Sequence, residues 1–183
     1  MEARQEAELP RGPGWQYEPK WDGFRCLARR DGEEVELLGR SGKSLSRYFP
    51  DIVAALHKLS PRRFVLDGEL VIPVGNALSF DELQMRLHPA ASRVQKLAAA
   101  HPALFIAFDL LRTPRGTDIS RKPLAERRTA LEAFSNRHSC DFPRQRAAVP
   151  RPRNGWRVPA AASSTAWLPS ASTNPIARAN ARW

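Results

Sequence analysis

Hydrophobic positions between residues 15 and 138 fall into short alternating runs and a few helical repeats. Phe24, Cys26 and Ala28 alternate with other positions, the two-residue period of a strand with one buried face. Asp31-Gly32 is a hairpin signal, and Val35, Leu37 and Leu38 give the returning strand, with Glu33, Glu34 and Glu36 as a solvated face. Ile52, Leu56 and Leu59 recur at helical spacing after Pro50, which suits a first helical turn. Residues 64–73 (FVLDGELVIP) predict a buried strand interrupted at Asp67, Gly68 and Glu69. A buried acid is costly unless partnered, which singles out Glu69; a bulge sending both acids to water is the plain alternative. Ser79 and Glu82 form a capping box for a helix through Leu83, Met85 and Leu87, with Met85 as core filler. Residues 104–111 (LFIAFDLL) predict another buried strand. Lys122 to Phe134 predicts an amphipathic helix with Leu124, Leu131 and Phe134 inward and its arginines and glutamates outward.

At 183 residues the chain suits one domain with a proper core. Residues 1–14 form a lead-in ending at Pro13-Gly14, and 15–138 carry the periodic pattern. In 139–183 the character changes: no lysine follows Lys122, no acid follows Asp141, and neither period survives. Such a tail buries too little apolar surface to offset ordering, so disorder is expected there. The net charge of +10 suggests nucleic acid, but seven arginines against one acid in 139–183 supply more than half of it. Without an apolar run of spanning length or a signal peptide, the expectation is a cytoplasmic chain with no membrane partner. Cys26 and Cys140 lack C-x-x-C spacing and the four histidines are scattered, which points to neither a zinc site nor a disulfide framework.

The candidate chemistry begins at residues 18–25, EPKWDGFR. Lys20 lies close in sequence to Trp15, Tyr17, Trp21 and Phe24. A lysine attacks only when neutral, and desolvation beside aromatic rings favours that state. Asp22-Gly23 is expected to be a tight turn in which glycine supplies positive φ. Arg25 adds a forked cation suited to an anionic or hydroxyl-bearing ligand. The plain alternative is a solvated lysine before a surface turn. Gly42-Lys43-Ser44 is not a phosphate loop, because Leu37 stands where the earlier glycine is required.

Three pieces stand in order: EPKWDGFR, LDGELV and FIAFDLL. Together they resemble the nucleotidyltransferase (adenylation) domain of ATP-dependent DNA ligases, nearest to the bacterial end-joining type. The likeness covers roughly residues 8–138 and extends to RYFPDIVAAL, SFDELQMRLHPAASRVQKLAA and PLAERRTALEAF. It implies an α+β fold of antiparallel sheets with flanking helices, an ATP-grasp-like core that is incomplete here. It also implies that Lys20 attacks the α-phosphate of ATP, retains AMP, and passes it to a nick that is then sealed. By the family pattern Glu18 lies against the adenine, Arg25 and Glu69 address the ribose, and Phe108 stacks on the base. Glu69 would help hold Mg2+. Arg40 matches the arginine of the family's S-R-N-G loop, flanked here by Gly39 and Ser41. The implied partners are nicked or broken duplex DNA and end-joining repair proteins, with the chain a monomer at the bacterial nucleoid.

The family's E-G-x-x-x-K and K-x-K motifs and its OB-fold domain are not found in this sequence, so the likeness implies the family more firmly than the activity. RNA ligases and capping guanylyltransferases share K-x-D-G, but HPAASRV favours DNA ligase; a non-catalytic remnant is a rival of another class. A shifted reading frame would account for the tail. Bases encoding Thr165–Ser170, read one base earlier, can encode DGVVAK, similar to the E-G-x-x-x-K region of end-joining ligases.

Overall fold

The computed structural model describes residues 21–138 in full, together with the backbone of Trp15–Glu18 and Leu168–Ala171. In chain order the elements are β1 (Trp15–Glu18), β2 (Phe24–Asp31), β3 (Glu34–Gly39) and a 3-10 turn at Ser46–Tyr48. Next come α1 (Pro50–His57), β4 (Arg63–Val71), β5 (Pro73–Val74), β6 (Ala77–Leu78) and α2 (Phe80–Met85). The order closes with α3 (Ala91–Ala100), β7 (Leu104–Arg112), α4 (Leu124–Arg137) and β8 (Leu168–Ala171).

The centre is a four-stranded antiparallel sheet in the order β3-β2-β4-β7, which bears out the α+β expectation. The β2–β3 hairpin closes through Gly32 at φ +63°, with Asp31 paired to Glu34. One face of the sheet (Cys26, Ala28, Leu66, Leu70 and Leu110) packs on Ile52 and Leu56 of α1 and on Leu131 and Phe134 of α4. Phe64 meets Phe134 edge-on at 5.3 Å, and Phe24 meets Phe49 and Phe80 the same way at 6.4 and 5.6 Å. Such pairs add roughly 1 kcal/mol each to the area they bury.

The Ser79 hydroxyl caps α2, accepting from the Glu82 amide at 3.2 Å. The helix stops at Met85, and Met85 and Leu87 are 40% and 45% exposed. Met85 is therefore not core filler: it lies two residues beyond the buried Leu83, off that helix's inward stripe. Periodicity did not single out α3, which buries only Val94 and Ala98. α4 holds Leu124, Leu131 and Phe134 inward as expected, but Arg127 points inward with them. Within the tail expected to be disordered, Leu168–Ala171 forms a strand antiparallel to β1, pairing Glu18 with Leu168 and Trp15 with Ala171. The rest of 139–183 lies outside the described residues.

Candidate functional site

Alternation sends every second residue of β2 and β4 away from the core, and there the sheet turns polar. Arg25 on β2 is the register partner of Glu69 on β4, and Asp67 stands two residues along. Arg25 grips Asp67 with its fork: Nε donates to Oδ1 at 3.1 Å and Nη2 to Oδ2 at 2.6 Å. The Asp67 hydrogen bond, foremost, holds the guanidinium's pKa above its ordinary value; the charges of Asp67, Glu69 and Asp109 add to this, against the effect of burial. Phe108 closes the group, with the Arg25 guanidinium 5.5 Å from its ring centroid.

Phe108 reaches this face through a bulge. Asp67 pairs with Asp109 and Gly68 with Ala107, leaving Phe108 as the extra residue of β7. Bulges re-aim side chains in this way beside functional sites. The bulged carbonyl of Phe108 accepts from Arg128 Nη1 at 3.3 Å, so α4 covers that part of the sheet edge. Behind Phe108, Asp109 is held by Arg127, whose Nε lies 3.0 Å from both carboxylate oxygens and whose Nη2 lies 2.8 Å from Oδ2.

The Asp22-Gly23 turn differs from expectation. Gly23 is not among the positive-φ glycines. A Cβ there would lie 2.3 Å from the Leu70 carbonyl oxygen and 2.8 Å from Glu69 Cγ. Glycine is needed because β4 passes against the backbone, not because the chain turns left-handed. Gly68 is similarly confined, a Cβ meeting the Ile106 carbonyl oxygen at 2.5 Å.

Of the six residues singled out in sequence, the structure brings together Arg25, Glu69 and Phe108. Arg40 is exposed in the turn one residue past Gly39, where β3 ends opposite Cys26. The backbone of Glu18 closes β1, and Lys20 lies outside the described residues. Sequence reasoning missed the partners Asp67, Asp109 and Arg127. The available signal was an aspartate inside each of two apolar strands and an arginine one turn after Pro123.

Among the described residues, no three His, Cys, Asp or Glu side chains cluster as metal ligands. Both Asp67 oxygens engage Arg25, and Glu69 is the other carboxylate at that end of β4. A Mg2+ bound through one carboxylate, waters and ligand phosphates fits this donor set, whereas a cage of three protein ligands does not.

The family described as the ATP dependent DNA ligase domain matches residues 5–148. The chain belongs to this family. DNA ligase C2 of Mycolicibacterium smegmatis is 56% identical to this ligase-domain chain over 120 residues, covering 66% of it and 34% of the relative. DNA ligase C of Mycobacterium tuberculosis is 48% identical over 131 residues, covering 72% and 36%. The solved ligase domain of M. tuberculosis LigD matches with a TM-score of 0.52 at 29% identity, covering 67% of this chain and 36% of that one. A mycobacterial DNA ligase D solved with ATP and MES matches at 0.50 and 30% identity, covering 67% and 37%. The ligase-domain chain thus spans about a third of the length of these relatives. Among its described residues no helix is long and apolar enough to cross a membrane.

Proposed function

We infer that this chain is the adenylate-forming part of an ATP-dependent DNA ligase. The observation that carries the reading is the Arg25–Asp67 fork, with Glu69 across the strand pair and Phe108 against the guanidinium. Arg25, oriented by its fork on Asp67, is assigned to a ribose hydroxyl. Phe108 offers a ring to the base, and Glu18 addresses its edge. Lys20 precedes Arg25 by five residues in K-x-D-G-x-R and serves as the nucleophile. Its neutral Nζ attacks the α-phosphorus of ATP; a P–N bond forms, the P–O bond to the β-phosphate breaks, pyrophosphate leaves, and the amine proton passes to solvent. Bound Mg2+, with Glu69 among its ligands, would supply charge compensation for the pyrophosphate. Arg40, at the position of the family's S-R-N-G arginine, is assigned to nucleotide binding.

The end-joining names of the LigD relatives support nicked or broken duplex DNA as substrate and other repair proteins as partners. The bacterial relatives support a place in the cytoplasm at the nucleoid, and the chain is assigned as a monomer. The composition of 139–183 is assigned to a shifted frame of ligase-coding sequence. A nucleotide sequence that encodes no DGVVAK-like string in that frame would refute this assignment.

The test is incubation of the 183-residue chain with ATP labelled on the α-phosphate, and separately with labelled GTP. Covalent label is expected from ATP alone and is lost in Lys20→Ala. Label that persists in that variant rules out the nucleophile; label from GTP points instead to capping chemistry. Sealing of a nicked duplex at the rate of full-length ligases is not expected, because the phosphate-contacting lysines of E-G-x-x-x-K and K-x-K do not occur in this sequence.

A further inference from the structure

We propose that Arg127 is a positioning residue for the nucleotide face: by engaging both oxygens of Asp109, it keeps that carboxylate from competing with Asp67 for the Arg25 guanidinium. The inference rests on the adenylation reading for one of its two readouts.

Four charges stand in line across three strands and a helix: Arg25 on β2, Asp67 on β4, Asp109 on β7 and Arg127 on α4. Asp67 and Asp109 are register partners in the antiparallel pair, an arrangement in which like charges repel. Each is served by its own arginine fork, at 2.6–3.1 Å for Arg25–Asp67 and 2.8–3.0 Å for Arg127–Asp109. The outer pair is the more deeply buried, with side chains 2% and 7% exposed. Arg127 is fixed from behind as well, since Nη1 donates to the Lys122 carbonyl at 2.5 Å.

A buried carboxylate seeks any cation within reach. Asp109 acts electrostatically on Arg25 already, and Asp67 acts on Asp109. Among the described residues this face of the sheet also carries Glu69 on β4 and the Arg29–Glu36 pair on β2 and β3, and Arg128 on α4 reaches the Phe108 carbonyl and sits beside Glu132. Burial, foremost, pushes the Asp109 carboxyl up, with the Asp67 charge adding to it, while the Arg127 fork pulls it down. Without Arg127 the main downward pull is gone, leaving only the weaker Leu110 backbone hydrogen bond. At low pH Asp109 is then neutral and behaves like asparagine. As pH rises it ionises beside Asp67 and draws Arg25 off its fork.

The experiment compares the 183-residue wild-type chain, Arg127→Gln and the double variant Arg127→Gln/Asp109→Asn over a pH series. It reads covalent label from α-labelled ATP and the Arg25 Nε–Hε NMR cross-peak. At low pH the two variants are expected to label equally. At high pH the single variant falls about tenfold below the double, the double stays within about threefold of wild type, and the Arg25 cross-peak moves only in the single. Label and cross-peak that run parallel in the two variants at every pH would overturn the inference, as would a folded double variant no better than the single. If Arg127→Gln does not fold, Arg127→Lys replaces it, keeping charge without the fork. An Arg25 cross-peak that then titrates with Asp109 supports the inference, and one that stays fixed overturns it. Absence of label in wild type would count against the adenylation reading alone, because the Arg25 cross-peak still decides this one.

Discussion

On one side of the four-stranded sheet, Cys26, Ala28, Leu66, Leu70 and Leu110 are sealed against α1 and α4. One residue away along the same strands stand Arg25, Asp67, Glu69 and Asp109. The core side is redundant: many apolar contacts share the load, and each one lost costs in proportion to the volume it leaves empty. The polar side is not. Arg25 with Asp67, and Arg127 with Asp109, form specific forked pairs, and losing one partner strands a group that water cannot fully reach. Substitutions on the core side should therefore act through stability, and those on the polar side through nucleotide chemistry.

The largest expected effect on stability is on the core side. Leu110→Ala should cost about 3 kcal/mol in urea denaturation, with label per folded molecule unchanged. Gly68→Ala should cost about 2 kcal/mol, because its Cβ would press on a β7 carbonyl that cannot swing aside. Arg25→Gln should cost only about 1 kcal/mol, since the Arg25–Asp67 pair is partly solvated, yet reduce label more than tenfold. If Arg25→Gln instead behaves like Leu110→Ala, lowering stability and sparing label, the division between the faces fails.

Cys26 sharpens the comparison without altering a contact. Burial pushes its thiol up to about 12. In a Cys140→Ser background, disulfide-exchange labelling at pH 8.5 should run roughly a thousandfold slower in the folded chain than in urea. The sign for stability follows: folding favours the neutral thiol, so this contribution is full below the unfolded thiol value of ~8.5 and is lost progressively as pH rises through the folded value of about 12. Equal reactivity in both states would show that the core side opens at β2. The smallest effect belongs to the rim, where exposed Glu33 pairs with Arg62 and His57. Glu33→Gln should change stability by less than about 0.5 kcal/mol.

Alternation and turn chemistry in the sequence were enough to determine β2, β3, β4 and β7, the Gly32 hairpin, the Ser79 cap and the apolar stripe of α4. These are local properties, set by neighbours within a few residues. The family was legible too, in three motifs whose order needs no coordinates. Tertiary structure alone decided which charges meet. Arg25 finds Asp67 42 residues away, Arg86 finds Asp51 across 35, and Arg127 finds Asp109 across 18. Sequence spacing alone did not distinguish Arg127 from Arg128, yet one is buried against Asp109 and the other reaches a carbonyl at the edge of the sheet. The bulge that turns Phe108 toward Arg25, and the strand that leaves Gly23 no room for a side chain, are products of register. Register is settled only when the whole sheet packs, because sliding a strand by one residue exchanges its buried and exposed faces.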